Sequence, residues 1–200
     1  MHSYFITGTD TDVGKTVAAS WLQLHLNGMY WKPVQSGIPK DIDTLKSLTR
    51  LPNHNFLPSR YELTQPLSPH EAARRDNISI SLDDFILPET SKPLVVEGAG
   101  GLMVPLNEDS LIIDLIEHFN LPVILVCRST LGTINHTLLS IEALHARDIK
   151  IKGLILSGEP TSHNRQALEE YGKLPIIAEL PILNPLNKEA LLSIKPEIEL

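Results

Sequence analysis

Eleven residues near the N-terminus, Ile6-Thr7-Gly8-Thr9-Asp10-Thr11-Asp12-Val13-Gly14-Lys15-Thr16, have the types and order of a phosphate-binding loop. Glycines allow the backbone to curl until several N–H groups converge on one anion, and a helix N-terminus adds its dipole. A lysine then reaches the outer phosphates, and the following hydroxyl takes a place on Mg²⁺. Here Gly8 and Gly14 enclose five residues, one more than the usual spacing. A polar strand-to-helix turn is the plainer alternative. The apolar run Tyr4-Phe5-Ile6 before the loop and the helical pattern opened by Gly14-Lys15-Thr16 favour nucleotide binding.

Three further clusters carry side chains fit for chemistry. Lys32 closes a short strand and leads into Pro33-Val34-Gln35-Ser36-Gly37, where it could meet a phosphate or a carboxylate, or simply be an exposed lysine. Asp43 follows in a short helical stretch and is open to the same two accounts. Val95-Val96-Glu97-Gly98-Ala99-Gly100-Gly101 puts an acid at the tip of a buried strand, where proteins with such a loop hold Mg²⁺. Leu131-Gly132-Thr133-Ile134-Asn135-His136 opens a second helix, which is either another anion site or an ordinary capped start.

The elements that must position these residues repeat one pattern. Helical spacing runs from Lys15 to Asn27, and a strand from Met29 to Lys32. A loop is expected over Pro33–Pro39 and a helix over Asp41–Arg50. Residues 51–69 hold four prolines and read as a long surface connection. Short helices are expected near 70–75 and 82–86. Strands Pro93–Val96, Pro122–Val126, Ile151–Leu156 and Pro175–Leu180 then alternate with helical faces at 111–119, 134–144 and 164–171. Strands apolar throughout, alternating with amphipathic helices, predict an α/β fold with a mostly parallel central sheet covered by helices on both faces. Ligands in such sheets sit at the carboxyl ends of the strands, where each polar cluster falls.

Composition narrows the class. Two hundred residues suit a single domain over 1–200. A net charge of -7 with no basic stretch argues against a nucleic-acid partner. The one cysteine, Cys127, precludes an internal disulfide, reads as a core residue and fits a reducing cytoplasm. Eight histidines lack metal-ligand spacing. No signal-peptide order and no apolar run long enough to span a bilayer is present, so no membrane association is expected.

Taken together, Gly8–Thr16, Lys32–Gly37, Ser68-Pro69-His70, Val96–Gly101 and Leu131–His136 resemble, in this order, the dethiobiotin synthetase family. The resemblance extends from residue 4 to about residue 180. It implies a homodimeric P-loop enzyme of biotin biosynthesis that converts 7,8-diaminopelargonic acid, CO₂ and ATP into dethiobiotin, ADP and phosphate. Carried over by position, Asp12, Val13, Gly14, Lys15, Thr16 and Val17 hold the ATP phosphates, and Glu97, Gly98, Ala99 and Gly100 continue the nucleotide site. The Mg²⁺ ligands are Thr16, Asp43 and Glu97. Lys32 is the catalytic lysine, assisted by Lys15 and Thr11, and Ser36 touches substrate. The helix start Gly132, Thr133, Ile134 and Asn135 receives the substrate carboxylate bound in the neighbouring subunit.

Two positions depart from the family pattern. Asp12 stands where many members have Glu, and Ser157 where well-known members carry an Asn that hydrogen-bonds adenine. The adenine pocket is then expected to lean on Glu179–Leu183, and nucleotide preference to be modest. Among rivals, partition- and nitrogenase-type ATPases carry an additional lysine where Asp10 stands here. Amidoligases such as cobyrinic acid diamide synthases carry a glutaminase domain that 200 residues do not accommodate.

Overall fold

Side-chain parity along the strands builds the centre of the molecule. In the computed structural model, which describes residues 3–200, β1 (Tyr4–Gly8) is buried at every position. Tyr4 and Ile6 join one apolar cluster and Phe5 joins the other. A strand turns successive side chains to opposite faces, so a strand that is apolar throughout needs cover on both. The cover comes in chain order from α1 (Lys15–Leu26), α2 (Asp41–Thr49), α3 (Pro69–Asp76), α4 (Ile112–Phe119), α5 (Thr133–His145), α6 (Ser162–Gly172) and α7 (Lys188–Ser193). Apolar residues of α1, α2 and α7 pack with Tyr4 and Ile6; those of α3, α4, α5 and α6 pack with Phe5.

The remaining strands are β2 (Met29–Trp31), β3 (Val34–Ser36), β4 (Phe56–Leu57), β5 (Tyr61–Leu63), β6 (Leu94–Gly101), β7 (Val123–Arg128), β8 (Ile151–Ser157) and β9 (Ile176–Leu180). Seven form one sheet in the order β4-β2-β6-β1-β7-β8-β9, with every neighbouring pair parallel. The α/β reading holds. The chain leaves β1 outward to β2, and β6 later returns to fill the gap beside it. The strand order therefore reverses around β1, and the crevice at its carboxyl end is the expected binding site.

Two expectations fail on the connection side. Pro33–Pro39 is not all loop, because β3 pairs in parallel with β5 in a separate two-stranded sheet. The 51–69 connection supplies both β4 and β5, and β4 extends the main sheet beside β2. Burial of Val34, Tyr61 and Leu63 holds these short pieces in place. Beyond residue 184, α7 packs on α1 through Leu191. There the Trp21 indole, wholly buried, donates to the Ile194 carbonyl at 2.8 Å. Truncating an aromatic of that size in a core costs about 3–5 kcal/mol, so this contact anchors the C-terminal segment. No helix among the described residues is long and apolar enough to cross a membrane.

Candidate active site

The loop after β1 turns into α1 through Gly14, whose φ of 93° lies in the left-handed region. No side chain caps α1, so its first N–H groups are left for a ligand. A Cβ at Gly14 would collide with the Ser157 hydroxyl at the end of β8, so glycine is required twice over. Lys15 curls back into the loop, its Nζ donating to the Asp10 carbonyl at 2.8 Å. Burial pushes the Lys15 amine down to about 8 despite the nearby charges of Glu97, Asp41 and Asp12, with Lys32 adding to the depression. A carbonyl satisfies a donor but carries no counter-charge, so an anion in the loop would relieve that strain on the ammonium. Arg128, from the end of β7, donates to the Thr11 carbonyl at 2.7 Å and braces the loop from outside.

Beside the loop, side chains from α1, α2, β6 and the turn after β2 converge. The Thr16 hydroxyl stands 2.8 Å from Asp41 Oδ1 and 3.1 Å from Glu97 Oε1. Lys32 Nζ lies 3.1 Å from Asp41 Oδ2, 3.1 Å from Glu97 Oε1 and 3.2 Å from the Gly98 carbonyl. Glu97 is 1% exposed and Lys32 6%. Burial alone would depress the Lys32 amine, but the Glu97 and Asp41 charges outweigh it and hold it above the ordinary lysine value. Burial likewise works against ionisation of Asp41, yet Lys32 and the Thr16 hydroxyl keep its carboxyl below the usual range. Lys32 is thus a lasting cation rather than a base. Tyr30 completes the group, its hydroxyl donating to Glu97 Oε2 at 2.9 Å. Burial first, then Glu97, raises the Tyr30 pKa well above normal and keeps that O–H a donor.

The acid that α2 contributes is Asp41, not Asp43. Asp41 is the first residue of α2, and its N–H is held by Gln35 Oε1 at 3.0 Å. Residues two apart on a helix lie about 200° apart around its axis, which turns Asp43 away to solvent.

A cavity of about 810 Å³ opens over this group. Thr11, Asp12, Gly14, Lys15, Thr16, Val17, Lys32, Ser36, Glu97, Ala99 and Gly100 all line it. Ser36 Oγ is buried there with no hydrogen-bond partner among the described residues. Val13 instead packs into the core, and Gly98 offers its carbonyl to Lys32. The proline-rich connection contributes Pro66 to Pro69 to the same wall. Gly132, Thr133, Ile134 and Asn135 do not reach the cavity. Asp41, Gln35, Tyr30 and Arg128 went unnoticed in the sequence. Only Gln35, inside the Lys32–Gly37 cluster, and Asp41, at a helix start, carried any local signal. Glu179 is committed elsewhere, paired with Arg165, which also holds Glu197 of the C-terminal segment. Cys127 is wholly buried with its thiol pushed up to about 12 by burial, an inert core residue.

Sheet order, loop and cluster define a P-loop nucleotide-binding protein of the α/β class. A family model described as AAA domain matches residues 2–190. Among solved structures, the cell-division ATPase MinD of Pyrococcus furiosus superposes with a TM-score of 0.56 at 11% identity, covering 96% of this chain and 88% of that one. A ParA family ATPase of Chlorobium tepidum gives 0.52 at 14% identity, covering 96% and 88%. At such identities the likeness speaks for the fold alone. Sequence relatives are far nearer. The ATP-dependent dethiobiotin synthetase BioD of Paramagnetospirillum magneticum is 46% identical over 98% of this chain and 96% of its own. The biotin biosynthesis bifunctional protein BioCD of Bordetella avium is 49% identical over 93% of this chain and 41% of its longer sequence. The chain belongs to the dethiobiotin synthetase family.

Proposed function

We propose that this chain is an ATP-dependent dethiobiotin synthetase, acting on 7,8-diaminopelargonic acid with CO₂ or bicarbonate. The observation that carries the reading is the meeting of Lys15, Lys32, Thr16, Asp41 and Glu97 around one cavity, in a chain of this family. One amine of the substrate adds to CO₂ and loses a proton, giving a carbamate. A carbamate oxygen then takes the γ-phosphoryl group, releasing ADP and leaving a mixed anhydride. The second amine attacks the anhydride carbonyl, expels phosphate, loses its proton and closes the cyclic urea. Phosphoryl transfer of this kind depends on positioning and on charge stabilisation rather than on covalent help. Lys15, rising from the loop, and Lys32, fixed between two carboxylates, supply positive charge where the transferred group gathers negative charge. Thr11 lines the cavity and would orient the carbamate. Ser36 offers its unpartnered hydroxyl to the substrate.

Thr16, Asp41 and Glu97 fit Mg²⁺. They are hard oxygen donors, and a cation, the Lys32 ammonium, already lies among the carboxylates. No group of three or more acidic, histidine or cysteine ligands occurs among the described residues. Mg²⁺ asks for no such group, since it is commonly held by one or two carboxylates plus substrate phosphates. When bound it would neutralise charge on the phosphates.

A homodimer completes the picture. The start of α5 would receive the carboxylate tail of substrate bound in the other subunit, because within one chain it does not reach the cavity. Leu131, fully exposed beside it, and Leu139, 57% exposed along the same helix, are apolar surface that a second copy would cover. One P-loop domain, working in the cytoplasm, would carry the whole activity. The test is ADP release measured with and without diaminopelargonic acid and bicarbonate. Release that needs both is expected. Full release from ATP alone would instead mark a P-loop switch ATPase and overturn the reading.

A further inference from the structure

Glu97 presents its two carboxylate oxygens to different neighbours. Oε1 faces the Thr16 hydroxyl and the Lys32 ammonium, each at 3.1 Å. Oε2 faces away and accepts from the Tyr30 hydroxyl at 2.9 Å. Tyr30 lies on β2, opposite Val95 of β6, so it is the diagonal neighbour of Glu97 on the same face of the sheet. Its ring is wholly buried and meets Phe56 edge-on, with centroids 6.4 Å apart. The last torsion of a glutamate is broad and roughly two-fold, so packing of the stem does not by itself fix the plane of the carboxylate. The tyrosine hydroxyl fixes it.

We infer that Tyr30 is a positioning residue for the phosphate–metal site: by engaging Oε2 it turns Oε1 of Glu97 toward Thr16, where the metal would bind. This rests on the Mg²⁺ reading of Thr16, Asp41 and Glu97 given above. Tyr30 itself does not line the cavity, and its hydroxyl acts through Glu97. Losing the hydroxyl would leave Oε2 buried without a donor and free the carboxylate to rotate toward other partners.

Mn²⁺ affinity, read by electron paramagnetic resonance in the presence of ADP, tests the inference without reliance on turnover. Partners of metal-ligating groups typically contribute about 10- to 100-fold to metal affinity. Tyr30→Phe is therefore expected to weaken Mn²⁺ binding about tenfold or more and to raise the Mg²⁺ concentration needed for half-maximal rate, with a melting point close to that of the parent. In a Glu97→Gln background, Tyr30→Phe should cost little further affinity, because the residue it positions is gone. An equal cost in both backgrounds, or no cost in the parent, would reduce Tyr30 to a packing residue and overturn the inference. So would a Tyr30→Phe protein that fails to fold, since the hydroxyl would then serve the core. If Glu97→Gln alone leaves Mn²⁺ affinity intact, the metal reading falls and this inference falls with it.

Discussion

Two helices in this molecule begin on a glycine in the left-handed region, and their surroundings could hardly differ more. Gly14 opens α1 with φ 93°, and Gly132 opens α5 with φ 95°; neither helix has a side-chain cap. At the first, Ser157 presses against the glycine, Lys15 is buried, and Thr16 joins Asp41 and Glu97. At the second, a Cβ on Gly132 would meet nothing within 4 Å, and Leu131 is 100% exposed. One helix start is enclosed by its own chain, and the other is left open. Enclosure suits a site that must hold several like and unlike charges at fixed distances before any ligand arrives. On the dimer proposal, the open start of α5 would be half of a site whose other half a second surface would supply.

The enclosed site should break most completely. Glu97→Gln keeps the volume of the side chain but removes the charge shared by Thr16 and Lys32. Losing charge stabilisation of about 3–4 kcal/mol lowers the rate by about 10²–10³-fold. Steady-state turnover over a range of Mg²⁺ measures it, and a variant with unchanged kcat and Mg²⁺ dependence would remove Glu97 from the site.

On the dimer proposal the open site should break differently, because its partner would lie outside the chain. A Lys32→Ala protein and a protein altered at Asn135 should each be nearly inactive as homodimers. Mixed, they form heterodimers in which one site has an intact Lys32 from one chain and an intact α5 start from the other. Activity should therefore rise from traces toward one working site per heterodimer. Sedimentation of each parent checks that both still pair. Verified heterodimers with no recovery would mean that α5 serves its own chain's cavity or none.

Lys32 sharpens the contrast further. Its ammonium lies among the carboxylates, and on the proposed Mg²⁺ reading the two cations would compete unless Lys32 moves. Lys32→Met should bind Mn²⁺ at least about tenfold more tightly in the absence of nucleotide, a change of about 1.4 kcal/mol and modest for a unit charge at this distance. Lys15→Met is the control for through-space charge, because Lys15 bonds to a carbonyl and not to these acids. Equal gains in both variants would mean that Lys32 does not occupy the metal position.

The same contrast separates what the sequence disclosed from what it hid. The phosphate loop and Lys32 directly follow strands, and Glu97 comes just after the apolar run Leu94-Val95-Val96 of β6, so each could be read from a few neighbouring residues. Their chemistry is local. The sequence pointed to Asp43, whereas the structure brings Asp41 of the same helix to Thr16 and Lys32; only the rotation of α2 about its axis separates the two. Tyr30 was hidden for a deeper reason: its partner is 67 residues away on a neighbouring strand, and an aromatic in a buried strand reads as core. The strands β3, β4 and β5 were missed because two or three residues give no periodicity, and their pairing is long-range. The openness of Gly132 could not be read at all, because exposure belongs to the folded surface.

The smallest expected effect is on stability, and it tests the comparison at its root. A non-glycine residue in the left-handed region costs about 1–2 kcal/mol. Gly132→Ala should carry that cost alone, since the added methyl meets nothing in its own chain. For a chain of this size about 1 kcal/mol moves the melting point by about 2–4 °C, so a fall of about 2–8 °C is expected. Gly14→Ala carries the same backbone cost plus the collision with Ser157, and should fall further. Shortening the obstacle isolates the second part: in a Gly14→Ala, Ser157→Gly double variant, some of the extra loss should return, whereas Ser157→Gly should not rescue Gly132→Ala. Protein concentration adds a second axis. If a partner chain covers the α5 start, Gly132→Ala should make the melting point more sensitive to dilution than in the parent, because dissociation then accompanies unfolding. Equal losses at both glycines, indifferent to Ser157 and to dilution, would show that the two helix starts differ only in the folded picture and not in energy.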